Sequence, residues 1–361
     1  MISTIYSFIL VLLILELNSK NLLHTFALAN SVSPRISIVT GANGYVGREI
    51  VHTLLADEDR KNQRIYCLVR EQRVESETNY WTDRSNCVTV MPYDMLDGGE
   101  SVRNVLKSEF ESSDDYDGTL SPCIYHVASV FGPSQDHIQT AKDNVKGTED
   151  LIRVLAEFKN CRLVVTSSMA AVRGSGQVPT NGKFYTFQDW NTLSQLGANW
   201  GSSYQWSKME SERRAWELTR EYNIPMSSIC PSFVFGPPSD GMMTSSYSIT
   251  MVSQWVRGES PVQSRLCVDI RDVAQAHVAA GTLPQAIGQR FIVSKEERVP
   301  SKEMAEALRQ VCRDLGLGNP DAINFDADFQ GGAIPIGSRE VESVERLNDS
   351  LGITLRPVFE T

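Results

Sequence analysis

Residues 36–47, ISIVTGANGYVG, place three glycines where a β-branched run gives way to a helical pattern. Glycine at such a junction allows a tight turn, and the helix that follows offers unpaired N–H groups and the positive end of its dipole. A ligand seated there approaches the backbone closely and is anionic, as a pyrophosphate is. A glycine triplet by itself is equally a plain turn. Its position between strand and helix makes it a candidate nucleotide cradle.

The rest of the chain repeats the same alternation. Strand-like runs occupy 36–40, 64–69, 87–93, 122–127, 161–166 and 226–230, with helical patterns over 45–56, 101–110, 138–158 and 204–222. This order predicts an α/β fold, a Rossmann-like doubly wound parallel sheet spanning 35–236. Past Pro231 the alternation fails: Pro237, Pro238 and Gly241 open a loop-rich stretch, and further helices are expected over 270–281, 301–315 and 339–351. Residues 237–361 are therefore read mostly as a smaller C-terminal substrate lobe over the strand ends. Two segments, 265–269 and 290–293, are candidates for return to the main sheet.

A net charge of -10 excludes the cationic surplus that nucleic-acid binding needs, which leaves a small molecule as the expected partner. The seven cysteines are far apart, with no CxxC pair and no Cys/His cluster at ligand spacing, so no metal site is expected and the thiols are read as buried apolar groups. The amino terminus differs in kind. An apolar run over 5–15 (IYSFILVLLIL), followed by Ala27-Leu28-Ala29, has the size of a signal-peptide core. Residues 1–34 are read as a leader: a signal peptide, a signal anchor with membrane contact, or a two-part targeting segment for the secretory pathway or an organelle. An N-terminal helix packed on a cytoplasmic protein is the alternative. The pattern fixes no oligomeric state.

At the end of the second strand stands Arg70, where NAD enzymes place an acid on the ribose 2′-hydroxyl. A guanidinium there suits a 2′-phosphate, so NADP (NADPH) is preferred, with NAD left open by the adjacent Glu71 and by the habit of arginines to cap exposed strands. Further on, Tyr204-Gln205-Trp206-Ser207-Lys208 puts a phenol and an ammonium one helical turn apart on one face. A nearby cation favours the ionised phenol and would tune it for acid/base work. The fifth strand ends in Ser167-Ser168, which is either a helix cap or a hydroxyl that converges with Tyr204 at the sheet edge.

Glycine turn, strand-end serine and YxxxK in this order resemble the extended short-chain dehydrogenase/reductases of the NAD-dependent epimerase/dehydratase superfamily. Tyr125-His126-Val127-Ala128-Ser129, Asn144-Val145-Lys146-Gly147-Thr148, 230–237 (CPSFVFGP) and 268–277 (VDIRDVAQAH) resemble its dihydroflavonol reductase-like branch. The resemblance runs from about Ile36 to Pro357. It implies an NADP-dependent oxidoreductase that interconverts a ketone or aldehyde and an alcohol on a small organic substrate. Tyr204 would be the general acid/base, Lys208 would hold the nicotinamide ribose and lower the phenol pKa, and Ser168, with Ser167 as its rival, would bond the substrate oxygen. Asn144 would anchor a relay water, or else cap a helix. The cofactor would lie along Gly41, Asn43, Gly44, Tyr45, Val46, Gly47, Arg70, Asp94, Met95, Val127, Ala128, Ser129, Pro231, Phe233 and Val234, with Asp94 at the adenine. Ser168 is followed by Met169-Ala170, not the Thr and paired acids of the dehydratases, and Val172 by Arg173, not the tyrosine of the epimerases. Cys230 replaces the arginine usual before Pro-Ser. A 3β-hydroxysteroid or sterol dehydrogenase shares the triad, and a non-catalytic nucleotide-sensing or scaffold protein would share the fold.

Overall fold

The computed structural model describes residues 36–57, 63–112, 121–239, 246–328 and 334–357; the leader reading of 1–34 lies outside the described residues. In chain order the elements are β1 (Ile36–Thr40), α1 (Tyr45–Ala56), β2 (Arg64–Val69), α2 (Val74–Thr82), β3 (Val88–Pro92), α3 (Glu100–Ser112), β4 (Cys123–His126) and α4 (His137–Leu155). Then come β5 (Arg162–Thr166), the one-turn α5 (Met169–Val172), α6 (Trp200–Glu221), β6 (Met226–Pro231), β7 (Phe233–Phe235) and α7 (Tyr247–Val256). The chain continues through β8 (Cys267–Asp269), α8 (Ile270–Thr282), β9 (Arg290–Val293), α9 (Ser301–Leu315) and α10 (Val344–Leu351).

Seven strands pair in parallel in the order β3-β2-β1-β4-β5-β6-β9. The chain walks outward from β1 to β3, then resumes at β4 on the other side of β1. A crevice opens at the carboxyl ends of β1 and β4, where doubly wound sheets bind ligands. Both faces of the sheet are covered, so its strands read as continuous apolar runs. On one side Val39, Val51, Leu54, Tyr125, Val273 and Phe291 pack α1 and α8 against the sheet. On the other, Ile38, Leu68, Val102, Leu106, Ile152 and Leu218 hold α3, α4 and α6. Each of these large side chains contributes about 1.5–3 kcal/mol by leaving water.

A separate cluster, Trp255, Val262, Met304, Ala305 and Ile323, is the core of the smaller lobe. The lobe is not a clean C-terminal block. The segment 290–293 returns to the main sheet as β9, with Ser228 opposite Arg290 and Pro231 opposite Val293. Residues 265–269 do not: β8 pairs only with β7, because the chain has already left the main sheet after Pro231. The helix expected over 339–351 begins only at Val344, since Arg339 and Val341 form bridges to Glu297 and Tyr185. The seven cysteines form no disulfide; six are buried and Cys87 is half-buried. Among the described residues no helix is long and apolar enough to cross a membrane.

Candidate active site

The first turn is built to admit a ligand to the backbone. Gly41 sits at φ +67°, and a Cβ there would lie 3.0 Å from Ala128 Cα, so the turn abuts the end of β4. At Gly47 a Cβ would lie 2.3 Å from the Gly41 carbonyl oxygen. Gly44 caps α1 with extended backbone and no side-chain cap, and the first turn holds no acid. The N–H groups at the head of α1 therefore keep their capacity for an anion.

A chain of hydrogen bonds fixes this turn to β4 and α4. Thr40 Oγ1 accepts the Val127 and Ala128 N–H groups, each at 3.1 Å, and lies 3.1 Å from His126 Nδ1. His126 Nε2 lies 3.1 Å from Thr148 Oγ1, which donates to the Asn144 carbonyl at 3.0 Å. With Thr40 already accepting twice, its own hydrogen goes to Nδ1, which assigns the Nε2–H tautomer. Burial pushes His126 down to about 3, so the ring is neutral.

Arg70 is exposed at the end of β2 and opens a single 3₁₀ turn, Glu71–Arg73. Residues three apart eclipse in such a turn, which puts Arg73 on the same side, and both line the cleft. Asp94 closes its own loop by accepting the Leu96 N–H at 2.9 Å. Met95 fills the notch at Gly147, where a Cβ would lie 2.3 Å from Met95 Cγ.

On α6, which Asn199 caps by accepting the Ser202 N–H at 2.9 Å, Tyr204, Lys208 and Glu212 follow at one-turn intervals. The Tyr204 phenol shares the cleft with Ser168; burial pushes it up to about 12, and the Ser168 hydroxyl opposes that shift. Ser168 caps α5 as well, its Oγ accepting the Ala170 N–H at 3.1 Å. Ser167 is spoken for: it donates to the buried Glu212 carboxylate at 2.7 Å. The structure thus brings Ser168, not its neighbour, to Tyr204. Lys208 is buried and donates to the Thr166 carbonyl at 3.1 Å. Loss of hydration lowers it to about 8, against the pull of Cys230 and Glu212. The Lys208 ammonium is tied to the strand end, and burial is the largest influence on the phenol.

Glu212 anchors that floor. Burial alone would raise its carboxyl, but Arg290, at 2.7 and 3.0 Å, together with Ser228 and Ser167, holds it below the ordinary range. Of the two roles expected of Asn144, the helix cap is not met. It sits in the middle of α4, whose cap is Asp136, so it caps nothing. Its side-chain amide binds both backbone groups of Val130, at 2.8 and 3.0 Å, and together with Tyr204 it lines a separate pocket of about 10 Å³.

All the other expected site residues line one cleft of about 1430 Å³. That exceeds the roughly 300–1,000 Å³ of a single small-molecule pocket, leaving room for a dinucleotide and a substrate together. The model of the NAD dependent epimerase/dehydratase family matches residues 37–293. The chain belongs to that family.

Curated relatives of this epimerase/dehydratase family member include the cinnamoyl-CoA reductase CAD2 of Medicago truncatula, 26% identical over 331 residues, covering 89% of this chain and 91% of that one. The NADPH-dependent methylglyoxal reductase of Saccharomyces cerevisiae is 27% identical over 293 residues, covering 75% of this chain and 81% of that one. The crystal structure of yeast methylglyoxal/isovaleraldehyde reductase complexed with NADPH superposes with a TM-score of 0.74 at 22% identity, over 90% of this chain and 95% of that chain, and so shares the fold.

Three features of this family member escaped the sequence reading. Arg73 had a usable signal, its spacing of three from Arg70. Phe131 had none: its ring lies 4.1 Å from that of Tyr204 and 5.0 Å from that of Tyr247, which together with Trp200 form an aromatic wall. Nor had the arginines 173, 265 and 298, which meet on the cleft from three separate segments.

Proposed function

We propose that the chain is an NADPH-dependent reductase that converts a ketone or aldehyde group of a small organic substrate to the alcohol. The observation that carries this reading is that Ser168, Tyr204 and Lys208 line the same cleft that the glycine turn opens. The reductase names of both relatives and the NADPH dependence of the yeast one support it.

Gly41, Gly44 and the head of α1 fit a pyrophosphate, because the turn leaves no room for side chains and α1 begins without a side-chain cap. Arg70 would take the 2′-phosphate, with Val127, Ala128, Ser129, Pro231, Phe233 and Val234 along the nicotinamide half. When bound, the cofactor supplies the hydride. Ser168, whose Oγ accepts the Ala170 N–H, turns its hydrogen from the phenol to the substrate oxygen when the carbonyl enters. Tyr204 then protonates the alkoxide. A phenol held up at about 12 is fully protonated at neutral pH, which suits it to give a proton and favours reduction. Lys208 keeps its ammonium beside the strand end, where it would bind the ribose hydroxyls.

Fluorescence titration with NADPH and NADH, followed by NADPH consumption with a panel of aldehydes and ketones, tests the proposal. Tighter NADPH binding and turnover lost in Tyr204→Phe are expected. A chain that ignores both dinucleotides, or a Tyr204→Phe variant with unchanged turnover, overturns it.

A further inference from the structure

The cleft that Ser168 and Tyr204 line also holds an unbalanced set of positive charges. Arg173 follows α5, Arg265 precedes β8 and Arg298 follows β9, and all three line the cleft. One buried carboxylate, Glu340, is shared between Arg173 at 3.0 Å and Arg298 at 3.1 Å. Among the described residues the contacts of Arg265 are to uncharged groups: the Gln263 side chain, the Ser264 carbonyl at 3.2 Å, Met251 Sδ at 3.6 Å, and the face of Phe233 at 5.5 Å. Arg173 Nε is buried with no hydrogen-bond partner. Three fixed cations thus face one fixed anion in a half-buried site. Burial and then the repulsion of Arg298 lower both Arg265 and Arg173; Arg173 adds to the lowering of Arg265, and Glu340 opposes that of Arg173. Concentrating like charge away from water costs free energy that a bound anion recovers.

We infer that the substrate carries an anionic group, a carboxylate or a phosphate, which Arg265 binds with Arg173 while the carbonyl reaches Ser168 and Tyr204. This rests on the reductase reading and narrows it: an oxoacid or a phosphorylated carbonyl compound fits, and its neutral counterpart loses the guanidinium contacts. Glu340 sets Arg173 and Arg298 in place. The planar fork of Arg265, which has no acid of its own among the described residues, makes the new ion pair.

The test uses matched pairs with the NADPH-loaded full chain: 4-oxopentanoate against 2-pentanone, and dihydroxyacetone phosphate against dihydroxyacetone. Charge-assisted contacts of this kind are worth about 10- to 100-fold, so kcat/KM is expected to favour the anionic member by that factor, mainly through KM. Which pair shows the larger ratio separates carboxylate from phosphate. Inorganic phosphate is expected to compete with the anionic ketone. Arg265→Gln is expected to collapse the ratio towards one, with NADPH titration as the check on folding. Equal kcat/KM within each wild-type pair overturns the inference without touching the reductase reading. If neither member of any pair is reduced, calorimetry decides: heat from inorganic phosphate or 4-oxopentanoate binding to the NADP-saturated wild type but not to Arg265→Gln supports the site. No heat with either probe sinks it.

Discussion

Tyr204 is the side chain on which the proposed chemistry turns, and its environment makes definite demands. Replacing it with phenylalanine removes a proton donor while keeping the ring against Phe131, so turnover is expected to fall by about 10²- to 10⁴-fold with the melting temperature little changed. The two serines at the end of β5 separate two kinds of effect. Ser168→Ala removes a donor at the substrate oxygen and is expected to lower kcat by about 10²-fold or more. Ser167→Ala takes a hydrogen bond from the buried Glu212 carboxylate and is expected to cost about 1–3 kcal/mol of stability, read by urea denaturation. Lys208, lowered to about 8 by burial, loses its charge as pH rises through that value. NADPH affinity is therefore expected to weaken above pH 8 in fluorescence titrations, and Lys208→Met to abolish the pH dependence.

The stripe Tyr204, Lys208, Glu212 makes α6 a strut between the cleft and the sheet: its first two residues face the proposed chemistry, and its third is locked to β9 through Arg290. Glu212→Gln leaves the Arg290 charge buried without a counterion and is expected to destabilise by about 3–5 kcal/mol, visible as a lower urea midpoint. Those elements that bury an apolar face were legible in the sequence. Ile36–Thr40, Arg64–Val69, Tyr45–Ala56 and Ser301–Leu315 fall on the residues that periodicity marks. The helix Val74–Thr82 was not legible, because among its residues only Glu77 and Trp81 are buried and its VESETNYWT pattern carries no apolar stripe. Val127–Ala128 and Pro231–Phe233–Val234 were found through motifs. The arginines 173, 265 and 298 belong to no motif, since only the fold brings them to one wall.

Across the whole molecule, two buried histidines tie the layers together and make the fold sensitive to acid. His126 links Thr40 to α4; His277 donates from Nδ1 to the Val273 carbonyl at 2.7 Å and accepts from Thr166 at Nε2, 2.8 Å away. Burial lowers them to about 3 and about 4. Unfolded, each takes up a proton near pH 6.5, so between those values and 6.5 the unfolded chain binds more protons. Stability therefore falls as pH drops through that window. Urea midpoints measured from pH 7 to 4 are expected to show the loss, and His277→Gln to flatten it. Arg290 has a different kind of consequence. The strand that supplies it lies beyond the β7–β8 pair and α8, so a growing chain that has emerged only as far as β6 holds Glu212 without its cation. The catalytic half of the molecule must wait for a late segment before its charge is neutralised. Synthesis interrupted between the two would release a species that seeks chaperones rather than substrate.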